Sequence, residues 1–110
     1  MRVGLVTGAA ELVAPLLKQL EQDVGAKPQL SSGAAEPLLA LLDAGKLDLV
    51  LGPFAKDSPW QTGVAFGPPL RAMPSGDHIL ELKAAMRNGE NRWIMAVEHA
   101  SRAVTAEARR

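Results

Sequence analysis

The chain contains no cysteine and no tyrosine, only two tryptophans and two phenylalanines, and no excess of either charge, with 12 Lys+Arg against 12 Asp+Glu in 110 residues. Without cysteine there is no disulfide framework, no thiolate zinc site and no cysteine nucleophile, and the redox compartment stays undetermined. A net charge of zero lacks the basic footprint by which nucleic-acid binders hold phosphates. So few aromatic rings make no base-stacking platform either, so no nucleic-acid partner is expected. No run approaches the length of apolar sequence that spans a bilayer, so no transmembrane segment is expected. Between Arg2 and Gly8 lie only Val3 to Thr7, too short for the apolar core of a signal peptide. The expectation is either a cytoplasmic protein or a mature fragment whose leader has been removed.

What is present describes one ordinary domain. A length of 110 residues supports one core and not two. With 47% hydrophobic and 22% charged residues the composition is that of a soluble globular protein and not of a disordered one.

Over the first half of the chain, strand and helix signals alternate. Val3-Gly4-Leu5-Val6 is a short apolar run of the kind buried on both faces of a sheet. Leu12, Val13, Leu16, Leu17, Leu20 and Val24 recur at helical spacing until Gly25 stops them. Pro15 is tolerated if that helix begins near Glu11, because first-turn amides need no acceptor within the helix. Residues 28–31 read as a weaker second strand, 34–44 as a second helix closed by Gly45, and 47–51 as a third, very apolar strand. Gly8-Ala9-Ala10-Glu11 returns as Gly33-Ala34-Ala35-Glu36. Both copies stand between a strand and a helix, where Gly can cap and Glu favours the positive end of the dipole. The resulting β-α-β-α-β order predicts right-handed crossovers and a parallel sheet covered by helices.

The rest is less regular. Residues 52–59 read as a loop, 64–66 as a short strand, Gly67-Pro68-Pro69 as a break and 73–77 as a turn. Residues 79–86 read as a strand with Ile79 packed inward. A last helix from about Glu90 carries the stripe Trp93, Ile94, Val97, Ala100, Ser101 and Val104. Glu98 and Arg102 are spaced to pair on its wet side, and the tail 107–110 is expected to fray.

Few residues suggest chemistry. Val6-Thr7-Gly8-Ala9-Ala10 follows a strand as a dinucleotide loop does, but Glu11 and Leu12 occupy the places of the further glycines, and without Tyr no Tyr-Lys catalytic pair exists. A phosphoryl-accepting receiver needs acidic residues after the first strand and an Asp ending the third; here stand Thr7-Gly8 and Gly52-Pro53. His78 and His99 have no second ligand at metal spacing, so no metal and no cofactor are expected. Ser31, Ser32 and Ser58 show no His-Asp partnership. Trp60 either caps the edge of the core or lines a cleft near the strand ends, and Trp93 reads as core. With no acid-base or metal constellation in the sequence, an enzyme is not expected.

One resemblance covers nearly the whole chain. Gly45-Lys46-Leu47-Asp48, Ser58-Pro59 and Val64-Ala65-Phe66-Gly67-Pro68-Pro69 resemble, in order and spacing, the signature of bacterial extracellular solute-binding proteins of family 3, the polar amino-acid kind with the type II fold. Arg2-Val3-Gly4-Leu5-Val6 resembles that family's first strand, and His78 to Leu82 with Asn88 to Trp93 its late strand, turn and closing helix. The resemblance implies an α/β three-layer sandwich, a mostly parallel sheet of order 2-1-3 plus a returning antiparallel strand. It implies one lobe of a type II periplasmic-binding-protein fold over residues 1–110, with the second lobe missing between about 70 and 77. By the same resemblance, ligand contacts fall on the loops after the strands, at Thr7, Gly8, Ser31, Ser32, Pro53, Phe54, Ser58 and Trp60. The family's ligand-carboxylate Arg is replaced around Trp60-Gln61. The implied role is a solute-binding-like module of an ABC-type transport system in the periplasm, holding a small polar solute, with a homodimer or a transporter partner covering the half-cleft. The alternative is an interaction or regulatory protein that uses the same fold only as a docking surface.

Overall fold

The protein is described by a computed structural model over residues 1–108. Its elements are β1 (Arg2–Val6), α1 (Ala10–Val24), β2 (Gln29–Gly33), α2 (Ala35–Asp43), β3 (Leu49–Ala55), a 3-10 turn (Pro59–Thr62), β4 (Val64–Phe66), β5 (Arg71–Ser75), β6 (His78–Arg87) and α3 (Asn91–Ala108). The sheet runs in the order β2-β1-β3-β6-β4, and β5 also pairs β6. β1 is parallel to both β2 and β3, whereas β6 returns antiparallel to β3, β4 and β5. The parallel 2-1-3 arrangement with a returning strand is as the resemblance implies.

Alternation along the strands builds a core on each face. Val3, Leu5, Leu49, Leu51, Leu82, Ala84 and Met86 point to one face, where Val13, Leu16 and Leu20 of α1 and Val97 and Ala100 of α3 close over them. Val50, Phe54, Val64 and Ala85 point to the other, under Leu38, Leu39 and Leu42 of α2. Helices on both faces make the three layers. Each fully buried Leu contributes about 1.5–3 kcal/mol relative to exposure, so these apolar periods decide the architecture.

Several local expectations are corrected. α1 starts at Ala10 and Pro15 stands well inside it. The missing Pro15 N–H therefore costs the bond that Glu11 would have accepted, a loss offset by the buried stripe on either side. The helices are capped by Ala9 and Ala34, not by Gly8 or Gly33, although Glu11 and Glu36 do occupy the first turns. β3 does not end at Leu51 but runs through Gly52-Pro53 to Ala55, paired with β6 throughout. Pro53 is tolerated because pairing with β1 stops at Leu51, leaving that side without a ladder to break. Most of 73–77 is strand, since β5 folds back on β6 through Gly76 at φ 60°. Ile79, expected inward, is 60% exposed, because this hairpin extends beyond the helices that cover the sheet. Glu98 and Arg102 form no ion pair among the described residues. Glu107 continues α3, and residues 109–110 of the expected frayed tail lie outside the described residues. Among the described residues no helix is long and apolar enough to cross a membrane.

Candidate functional site

Because β1, β2 and β3 are parallel, their carboxyl ends lie together at one end of the sheet. Antiparallel β6 brings its amino end there as well, with Leu80 opposite Ala55, and the β5–β6 turn follows with Ser75 opposite His78. Between the segment after β3 and this hairpin lies an open groove lined by Ala55, Lys56, Asp57, Pro59, Ser75, Asp77, His78, Ile79 and Leu80. Two carboxylates, one ammonium and one imidazole thus line it beside apolar Ala55, Pro59, Ile79 and Leu80. Carboxyl ends of parallel strands are where α/β sheets take their ligands.

The structure distributes the expected site residues unevenly. Thr7 and Gly8 are exposed in the turn after β1, where Gly8 takes φ 88°, and Thr7 N–H donates to the Gly33 carbonyl at 3.0 Å. They stand at the correct end of the sheet but do not line the groove. Ser31 and Ser32 are not on a loop: they lie within β2, opposite Gly4 and Leu5. Phe54 is 4% exposed and belongs to the core under α2, so it does not face solvent as expected. Pro53 is half-buried within β3. Ser58 is buried and caps the 3-10 turn, its Oγ accepting from Trp60 N–H at 3.2 Å. Trp60 is half-buried against the same core as Phe54 and Phe66, the position that its core-edge reading describes. Trp93 packs against the opposite core and donates from Nε1 to the Asp48 carbonyl at 2.7 Å, as a core residue.

Lys56, Asp57, Asp77, His78 and Ile79 are the groove residues that motif reading misses. Their signal is positional. Lys56-Asp57 directly follow β3, and Ser75-Gly76-Asp77 is a turn that returns to the same end once β5 is recognised as a strand.

Among the described residues, two ion pairs flank the sheet. At the amino end of the sheet, Arg2 Nη2 donates to Asp48 Oδ1 at 3.0 Å and Arg2 N–H to Asp48 Oδ2 at 2.7 Å. Hydrogen bonding from Arg2 holds the Asp48 carboxyl below its ordinary range, against a smaller opposing effect of burial. On the α2 face, Lys83 Nζ donates to Glu81 Oε1 at 2.9 Å and lies 4.6 Å over the Phe66 ring, whose centroid is 5.4 Å from that of Phe54. Lys83 is only 5% exposed, so this pair is committed to the fold and not to the groove.

No family model matches the chain, and no curated protein matches it in sequence. Solved structures do match in shape. The arginine-bound form of domain 1 of ArgBP from T. maritima superposes with a TM-score of 0.78 at 16% identity, covering 94% of this chain and 91% of that one. An ancestral amino-acid-binding protein, described as a precursor of cyclohexadienyl dehydratase, gives 0.80 at 11% identity, covering 98% and 90%. An amino acid ABC transporter substrate-binding protein from Streptococcus pneumoniae, bound to L-arginine, gives 0.78 at 11% identity, again covering 98% and 90%. At these identities the likeness establishes the fold alone: the chain has the α/β fold of one lobe of these solute-binding proteins.

Proposed function

We propose that the chain is a solute-binding lobe of an ABC-type transport system, taking a small polar solute of the amino-acid kind in the groove at the carboxyl end of its sheet. The observation that supports this reading most is the groove's position, on a fold shared with two arginine-bound solved structures, one of them a single domain. Lys56 and His78 offer donors to a carboxylate, and Asp57 and Asp77 offer acceptors to an ammonium or guanidinium. Thr7 and Gly8 supply a hydroxyl and a free turn at the adjacent strand end, and Ser58 with Trp60 fixes the loop that carries Lys56 and Asp57. The lobe acts as a binder and not as a catalyst. Its site is open on one side, so a second lobe or a transport partner completes it; in this reading the β5–β6 hairpin stands where the second lobe would depart. Periplasmic location belongs to the same proposal.

A thermal-shift screen against amino acids and simple organic anions tests it, because a ligand that binds only the folded state raises Tm by linkage. At a hundredfold excess over Kd the gain is about 2.7 kcal/mol. The expected hit loses its shift in Asp57→Ala and Asp77→Ala while both variants keep the unliganded Tm. A panel without any hit favours the docking-surface reading, for which exposed Ile79 on the hairpin is the supporting feature.

A further inference from the structure

The two edges of the sheet are treated very differently. One edge is split between β4 and β5, which pair successive parts of β6 and are separated by Pro68 and Pro69; Arg71 and Pro74 lie within β5 itself. Prolines, charge and short edge segments are the usual defences against edge-to-edge pairing. The other edge, β2, is also short but has neither charge nor proline within it: Gln29-Leu30-Ser31-Ser32-Gly33 follows Pro28, and Leu30 is 54% exposed.

The ladder also fixes which backbone groups that edge presents. Gln29 N–H donates to the Met1 carbonyl at 2.7 Å, and the Gly33 carbonyl accepts from Thr7 N–H at 3.0 Å. Residues 29, 31 and 33 therefore turn their polar backbone groups inward to β1, and Leu30 and Ser32 turn theirs outward. We propose that β2 pairs antiparallel with β2 of a second copy of this chain, about a two-fold axis at Ser31, joining the two sheets into one.

In that register Leu30 of each copy faces Ser32 of the other, and the two exchange both N–H···O=C bonds, so every outward group of the strand is satisfied. Ser31 meets its own counterpart across the axis, where a small side chain suits the close spacing of a non-hydrogen-bonded pair. The same register sets Lys27 of each copy beside the start of the other copy's α2, where Glu36 stands. Both are exposed, and neither is ion-paired among the described residues. Two-fold self-pairing is closed, so it produces a dimer and not a fibre. It also places the two grooves at opposite ends of the joined sheet, so the dimer neither completes nor blocks them.

Sedimentation equilibrium up to about 100 µM decides the matter. The expected mass is twice the 11.6 kDa of one chain. Ser31→Lys and Ser31→Asp, which set like charges against each other at the axis, are each expected to sediment as monomers with an unchanged circular dichroism spectrum. Mixing the two restores a dimer. Ser32→Pro, which removes an outward donor and leaves the β1 ladder intact, weakens association at least tenfold. A wild-type monomer at the highest concentration, a Ser31→Lys variant as dimeric as wild type, or charge-opposed variants that do not pair on mixing would each overturn the proposal. Leu30→Glu, at an exposed residue outside every expected ligand contact, weakens association while solute binding per chain is unchanged, which separates this outcome from that of the groove.

Discussion

Gly52 of β3 lies directly against Val6 of β1, so closely that a Cβ on Gly52 would collide with the Val6 Cβ and Cγ2. This contact is where β3 leaves the cover of β1 and continues, through Pro53, toward the groove. Gly52→Ala forces the two strands apart where the site begins. The expected loss is about 1–3 kcal/mol, typical of overpacking, read from the urea midpoint at unchanged m-value. Since Gly52 has no positive φ, the cost is steric, and Val6→Ala in the same chain should recover part of it.

Ser101 makes the opposite prediction. It is fully buried on the inner side of α3, and its Oγ has no hydrogen-bond partner among the described residues. Ser101→Ala removes an unsatisfied group with little change of volume. It is expected to be neutral or to stabilise by up to about 1 kcal/mol, measured by chemical denaturation.

The Lys83–Glu81 pair beside Phe66 is expected to behave asymmetrically. Lys83→Ala leaves the Glu81 carboxylate, itself only 19% exposed at the side chain, without its partner and removes the cation from the ring. A loss of about 3 kcal/mol is expected, the lower end for a broken buried pair. The double change Lys83→Met with Glu81→Leu is expected to recover most of it, because well-packed apolar replacements avoid the desolvation of both charges.

Asp48 predicts a pH dependence. Its carboxyl titrates lower in the folded chain than in the unfolded one because Arg2 donates to it. A depressed carboxyl pKa contributes stability that is present above the unfolded value, near 3.8, and is lost as the pH falls through the folded value. Asp48→Asn should therefore lower Tm at pH 7 by a few degrees, with the difference from wild type closing below about pH 4. Exposure of both side chains keeps the effect small.

The parallel half of the fold was legible because its signals are long-range in character: apolar runs at β1 and β3, and helical periods at α1, α2 and α3, each summing many buried groups. β5 was not legible. Arg71-Ala72-Met73-Pro74-Ser75 has no strong period, and it is strand only because β6 supplies a partner and Gly76 a tight turn. The candidate site was read less well than the fold for the same reason. Loop residues were located by counting from strand ends, and β3 runs four residues past its apparent end at Leu51. That shift moves Phe54 from a loop into the core and hands its place to Lys56 and Asp57. β2 likewise runs past its expected end at Ser31, drawing Ser32 into the ladder opposite Leu5.

The central claim is that the groove between the end of β3 and the β5–β6 hairpin holds the solute. Amide chemical-shift mapping of the labelled chain during titration with L-arginine, and then with the other amino acids, tests it most directly. The account predicts saturable shifts at Lys56, Asp57, Asp77, His78 and Ile79, with smaller ones at Thr7 and Gly8 and none along β2. Saturable shifts confined to any other surface, or no shift with any of these solutes at millimolar concentration, would contradict it.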